Sequence, residues 1–314
     1  MRTGVIQPLP GIGDMVWFLP ALRALAAAAA DGRLTLLTRS SCQPHSLFHN
    51  EPMIERIVIL PRGGRGGLSA VTNLWKTWKA VRQAKLDRLY VLHHSSRYRL
   101  AARLAGVRDV VAYPPLRDKV FIDGWVRSRT FLKNVGVTVE DPTPRLTVAA
   151  SIVEAVRRRF HDCPRPWIIM SAGASEPVRR WPPENFARVA QALTDKTPGT
   201  VFLSGAPGDA EIVARVQDAC AEKRRLVPVV GHPLEEVMAL MSDADCLVGN
   251  DSGPPNLSAA MGCLTFSLYG RVEPPLHSPL LNVIGPPPGM DVRGIEVPVV
   301  IETVLAGLAG QHRL

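Results

Sequence analysis

The stretch PLPGIGDMVWFLPALRAL, residues 8–25, sets a glycine turn and one carboxylate, Asp14, between a strand-like start and a long helix. A carboxylate at a helix start is favoured by the helix field and caps exposed amides; the same group can accept a proton from an attacking hydroxyl. Gly11 and Gly13 let the backbone turn tightly and let a ligand come close. The loop makes a poor dinucleotide fingerprint, because the third glycine of GxGxxG would fall on Val16. A second stretch, LVGNDSGPPNLSAAMG at 247–262, runs an apolar strand into Asp251, Ser252 and Gly253 ahead of a small-residue helix. Backbone N–H groups at such a start suit a phosphate, and an Asp or Ser there serves equally as an ordinary helix cap. In the third, SAGASEPVRRWPPENFARVAQAL at 171–193, Arg179 follows a strand and can hold a forked, permanent cation against a leaving diphosphate. Arg180 reads instead as the flank of a tryptophan that docks the next helix.

These groups need elements to carry them. Short β-branched or leucine-rich runs alternate with helix-length segments, from TGVIQ, LTLLT, RIVIL, RLYVL and DVVAY to WIIMS, TVFLSG, RLVPVV, DCLVG and LTFSLYG. That alternation predicts parallel strands joined by crossover helices, with sheets covered on both faces. A helix is predicted from about Asp14 to Ala30, stopped where Gly32 can turn left-handed. At 314 residues the chain has room for two such α/β domains, with the boundary near 163 in a proline-punctuated region, giving domains 1–163 and 164–314. Ligands of two facing doubly wound domains would bind at the carboxyl ends of the strands.

Bulk properties narrow the classes. Apolar residues at 46% with 21% charged describe a soluble protein, with no window of membrane-span length. The start lacks the apolar core of a secretory signal, so a cytoplasmic chain is expected. Five cysteines without CxxC spacing read as buried thiols. Net charge of +9 suits an anionic partner, yet aromatics at 6% and the absence of RNP-like or helix-turn-helix patterns disfavour nucleic acid. The DAD triplet at 243–245 precedes a strand instead of following one, and His93, His94 and His232 make no metal-ligand spacing, so no metal is expected.

Together the stretches resemble glycosyltransferase family 9, the ADP-heptose:lipopolysaccharide heptosyltransferases. GDMVWFLPALRAL is similar to the family's G-D opening motif, RRWPPENFARVAQAL to its lysine-x-W-P motif with Arg179 at the lysine, and DSGPPNLSAAMG to its late D-(S/T)-G motif. RLYVLHHSSRYRLAARLAGV matches more weakly, and the matches keep family order from residue 13 to about 270. The resemblance favours functional roles for Asp14 and Asp251 over plain capping. It implies a GT-B fold with acceptor in the first Rossmann-like domain and nucleotide sugar in the second, and inverting, metal-independent transfer from an ADP-activated heptose or related sugar. Asp14 is then the base, and Arg179 the diphosphate contact. Asp251, Ser252 and Gly253, with Gly13 nearby, fall at the donor's sugar and phosphates; Asp209 falls at the ribose and His232 at the adenine.

Two departures sit beside the diphosphate: Asn256 stands at the family's histidine, and Arg271 follows SLYG where the family has proline. They motivate an alternative, a non-catalytic or altered-donor member that binds nucleotide sugar or glycan. Arg62, Arg65 and Arg97 are acceptor candidates, by position where the family holds anionic sugar acids, with solvated arginine the plain alternative. A lipopolysaccharide-type or other glycan acceptor of this kind would suit the basic balance and a loose attachment to the anionic inner face of the cytoplasmic membrane.

Overall fold

The computed structural model describes residues 1–62, 67–114, 124–221, 223–270 and 277–311. It divides into two units, Met1–Pro144 and Arg145–Leu314. The first unit runs β1 (Thr3–Ile6), α1 (Ile12–Ala27), β2 (Leu34–Thr38), the single turn α2 (Pro44–Leu47), β3 (Ile54–Ile59) and α3 (Gly67–Ala84). It continues with β4 (Arg88–Val91), α4 (Ser96–Leu104), β5 (Asp109–Ala112) and α5 (Gly124–Asn134). All five strands pair in parallel in the order β3-β2-β1-β4-β5. TGVI and LTLLT are buried along their whole length, as strands covered on both faces must be, whereas the edge strand β3 stays half exposed. Ile6, Leu37, Leu89 and Val91 of the sheet pack with Val81 of α3 and Tyr98 of α4.

The second unit opens with α6 (Ala150–Arg159), β6 (Trp167–Ser171), α7 (Pro183–Lys196), β7 (Thr200–Gly205), α8 (Ala210–Asp218) and β8 (Leu226–Val230). Next come α9 (Leu234–Asp243), β9 (Cys246–Asn250), α10 (Gly253–Ala260), β10 (Leu264–Leu268), β11 (Leu281–Ile284) and α11 (Val297–Gln311). Six parallel strands follow the order β11-β10-β9-β6-β7-β8. Pro228 is tolerated in β8 because that strand is an edge, where one ladder donor can be missing. Both sheets therefore reverse their winding once, between β1 and β4 and between β6 and β9.

Trp181 and Asn250 fix the reversal point of the second sheet. Trp181 is fully buried, stands edge-on to Phe186 with centroids 5.2 Å apart, and donates its indole N–H to the Ile295 carbonyl at 3.1 Å. Asn250, also fully buried, accepts from the Trp181 amide at 3.0 Å and donates to the Ala172 carbonyl at 2.7 Å. The loop after β6 is thus stitched to the end of β9.

Three sequence expectations shift. Helix α1 spans Ile12–Ala27 rather than 14–30, although Gly32 does take a left-handed φ of 68°. The unit boundary falls at Pro144 rather than near 163, because α6 belongs to the second unit: Arg157 meets Asp243 at 2.6 Å, Arg159 meets Glu236 at 3.0 Å, and Phe160 packs on Phe202 at 5.0 Å. Strand β11 has no counterpart among the expected runs, being four residues long with a half-exposed pattern. Cys42, Cys220, Cys246 and Cys263 are buried, Cys163 is partly so, and all five are free thiols. Among the described residues no helix is long and apolar enough to cross a membrane. Trp181→Ala is expected to cost the second unit about 3–5 kcal/mol, and Trp181→Phe, which orphans the Ile295 carbonyl, about 1–3 kcal/mol, read from urea denaturation by far-UV circular dichroism.

Candidate functional site

In the first unit the loops at the carboxyl ends of β1, β2 and β4 gather polar groups. Asp14 occupies the third position of α1, and its Oδ2 accepts the Gly11 N–H at 3.1 Å. A Cβ on Gly11 would lie 2.7 Å from that oxygen, so glycine is what lets the carboxylate fold back onto its own cap. Gly13 is buried in the first turn. The loop is held from the side by Ser41, whose hydroxyl donates to the Pro10 carbonyl at 2.9 Å. Beside it, burial pushes the Cys42 thiol up in pKa, with the Asp14 charge a smaller contribution in the same direction.

His93 and His94 follow β4, on the other side of the winding reversal, with rings stacked 4.8 Å apart. The Ser95 amide donates to His93 Nδ1 at 3.0 Å, and Arg127 of α5 lies 3.0 Å from His94 Nδ1. A guanidinium and an amide can only donate, so both rings accept at Nδ1 and carry their proton on Nε2. Burial, then the charges of His94, Arg97, Arg39 and Arg127, pulls His93 down to about 4; burial and Arg127 also lower His94. Arg97 lies over the Tyr98 ring at 4.7 Å and donates to its hydroxyl at 2.9 Å. Polar atoms without partners collect at this edge: the Nε of Arg39, Arg97 and Arg99, and both amide atoms of the fully buried Gln7 at the end of β1. Of the expected acceptor residues, Arg97 belongs to this cluster, Arg62 is exposed just beyond β3, and Arg65 lies outside the described residues.

In the second unit the loops after β6 and β9 meet. Arg179 is held by Glu176 through two hydrogen bonds of 3.2 and 3.0 Å, and its Nη1 lies 3.5 Å from Asp251 Oδ2. Arg180, beside the buried Trp181, donates to the Ala174 carbonyl at 2.8 Å. Ser252 caps α10 in position, but its hydroxyl donates back to the Asn250 carbonyl at 3.0 Å. The Asn256 amide donates to the Ser252 carbonyl at 2.8 Å, tying the first turn of α10 to its cap. The amide cradle expected at 251–253 is smaller than the pattern suggested: of the first three helical positions, Gly253, Pro254 and Pro255, only Gly253 carries an N–H.

Asp209 sits where the ends of β6 and β7 approach. Its Oδ2 accepts the Ala206 N–H at 3.0 Å, and a Cβ on Gly173 would lie 2.5 Å from its carboxylate. His232, just past β8, pairs with Glu236 at 3.1 Å, and Arg159 contacts both residues. Arg271 lies outside the described residues. The DAD carboxylates are structural: Asp243 pairs with Arg157 and Arg165, and Asp245 accepts the Trp167 amide at 2.6 Å. Among the described residues no group of three His, Cys, Asp or Glu could hold a metal ion. Sequence reasoning missed Arg39, His93, His94 and Arg127 as a set; the available signal was that Arg39 and the His pair directly follow strands of the sheet.

Two parallel sheets of this winding, each with its charged loops at the carboxyl edge, define a GT-B type α/β protein. The model of glycosyltransferase family 9 (heptosyltransferase) matches residues 125–284, and the chain belongs to that family. Lipopolysaccharide heptosyltransferase 2 of Escherichia coli K12 is 25% identical over 89% of this chain and 86% of its own length. The crystal structure of a family 9 glycosyl transferase from Veillonella parvula superposes with a TM-score of 0.82 at 20% identity, over 98% of this chain and 97% of that one. The E. coli ADP-heptose LPS heptosyltransferase II structure gives 0.80 at 21% identity, over 99% and 100%. The protein is a glycosyltransferase.

Because His93 binds its proton less readily folded than unfolded, the unfolded chain takes up the proton first on acidification. Stability is therefore lost as pH falls from about 6.5 toward about 4. His93→Gln should flatten that part of the melting-temperature profile; superimposable slopes for the two proteins would refute the assignment.

Proposed function

We propose that this protein is an inverting heptosyltransferase that moves a heptose, or a closely related sugar, from an ADP-activated donor to an anionic glycan acceptor of the lipopolysaccharide-core type. The observation that carries the reading is the pairing of chemistries at the two winding reversals: an aspartate with neutral imidazoles and guanidinia in the first unit, and an Arg179–Asp251 pair in the second. Family membership supports glycosyl transfer, and the printed names of the relatives support heptose and lipopolysaccharide.

In this mechanism Asp14 takes the proton of the acceptor hydroxyl as that oxygen attacks the anomeric carbon. The bond from that carbon to the diphosphate breaks on the opposite face, so configuration inverts and ADP departs. One carboxylate suffices, because a single displacement forms no glycosyl-enzyme. Arg179 meets the charge that develops on the leaving diphosphate, with Glu176 holding the guanidinium in place. Ser252 and Gly253 supply the nearby turn, Asp209 is the candidate for the ribose hydroxyls and His232 for the base. Arg97, with Arg39, Arg127 and the Nε2–H of His93, offers donors to an acidic acceptor. No metal is assigned a role in these steps.

Asp14 both caps a helix and, on this reading, accepts a proton, and one substitution separates the two roles. Asn at position 14 keeps an oxygen for the Gly11 N–H but cannot act as a base. Asp14→Asn should therefore fold normally, bind ADP unchanged, and lose about 100-fold or more in kcat; a rate within a few-fold of the parent would leave Asp14 a cap only. Arg179→Ala should weaken ADP binding, by calorimetry, together with the rate. Unchanged ADP affinity would remove Arg179 from the diphosphate site. Measured against GDP and UDP, the same calorimetry tests the donor base, because Asn256 spends its amide on the Ser252 carbonyl where the family keeps a histidine.

A further inference from the structure

We infer that the outer face of α3, with the end of α4, is the surface by which this protein docks on an anionic phospholipid bilayer. Val71, Leu74, Trp75 and Trp78 of α3 and Leu104 of α4 line an open apolar groove. Large apolar side chains stand out to solvent there: Val71 is 68% exposed, Trp75 53% and Leu104 60%. Leu100, one turn before Leu104 on the same face of α4, is exposed as well. Isolated exposed apolar residues are ordinary, but a contiguous set of this kind marks an interaction surface.

The charges around the groove name the partner. Lys76, Lys79 and Arg82 of α3 and Arg103 of α4 are exposed on the same two helices. The Lys79 ammonium lies 5.5 Å from the Trp75 ring and the Arg82 guanidinium 5.2 Å from the Trp78 ring. The Trp78 indole N–H donates to the Leu104 carbonyl at 3.1 Å, which fixes that ring across the two helices. From Pro61 to Arg108 the sequence carries eleven Lys and Arg and a single acid, Asp87, which is engaged by the backbone N–H of Arg2 at 2.7 Å. Tryptophan beside lysine and arginine on an amphipathic helix is the pattern that lies in a bilayer interface, with rings at headgroup depth and cations on the anionic lipids. A second copy of this chain fits poorly: a two-fold contact through the groove would set these cations against their own images.

This deepens the reading above, since an amphiphilic acceptor is met at such a surface, but its test needs neither donor nor acceptor. Sedimentation with phosphatidylcholine vesicles, with and without about 30 mol % phosphatidylglycerol, should show binding that requires the anionic lipid and weakens with salt. Trp75→Ser and Lys76→Glu should each weaken it about tenfold or more. Arg188→Glu, an equal charge change at an exposed position of α7, should leave it unchanged. Unaltered ADP affinity and far-UV spectra verify that the variants are folded. No binding to the anionic vesicles, equal binding by parent and variants, or a concentration-dependent dimer abolished by Trp75→Ser would each overturn the proposal. None of these results would touch the transfer chemistry assigned to Asp14.

Discussion

The order of the parallel strands governs where this chain can hold a ligand. When every strand-to-strand connection is parallel and right-handed, helices after strands on one side of the first-formed strand lie on one face of the sheet, and those on the other side lie on the opposite face. At the strand pair where the direction of winding changes, the two following loops must diverge, and the space between them is left uncovered. In the first sheet that pair is β1 and β4, and in the second it is β6 and β9. Asp14 and the His93–His94 pair border the first opening; Arg179 and Asp251 border the second. No loop-by-loop coincidence is needed to gather these groups, because the strand order already does so.

At the carboxyl ends of the strands, two candidate carboxylates also serve the fold. Asp14 receives the Gly11 amide, and Asp209 receives the Ala206 amide, each satisfying a donor that a helix start leaves without a partner. Glycines stand opposite both carboxylates, at 11 and 173, where a methyl group would collide. A cap of this sort locks the rotamer of the acid, and a locked acid is the pre-organised group that proton transfer requires. Capping and catalysis at such a position are therefore complementary.

The strands were legible because central parallel strands are apolar throughout: LTLLT, WIIMS and TVFLSG fall where the runs predicted. The edge strands β3, β5 and β8 were legible too, as RIVIL, DVVAY and RLVPVV, whereas LNVI at 281–284 is only four residues long with a half-exposed pattern. The boundary near 163 rested on prolines, whereas ion pairs and the Phe160–Phe202 contact, all made with residues distant in sequence, assign α6 to the second unit. The candidates carried in local motifs, Asp14, Arg179 and Asp251, stand where the motifs put them, after a strand and at or before a helix start. The cluster of Arg39, His93, His94, Arg97 and Arg127 was not, because four separate loops and helices supply it and only the strand order makes them neighbours.

The second opening also bears on the proposed role of Arg179. A helix start ordinarily offers several amides to an anion, but Pro254 and Pro255 remove two of the three at the head of α10, and the Ser252 hydroxyl is turned to the Asn250 carbonyl. Of those three positions only Gly253 keeps its N–H, so a diphosphate held here, as proposed, would call for a cation beside the turn. Arg179 Nη1 lies 3.5 Å from Asp251 Oδ2, and Glu176 grips two nitrogens of the guanidinium, which fixes the direction of the fork. A lysine at this place would lose both the second bond to Glu176 and the planar geometry that matches phosphate oxygens. On the proposed reading, prolines that stiffen the turn and an arginine in place of the lost amides are two halves of one arrangement, in which rigidity comes from the backbone and charge from the loop after β6.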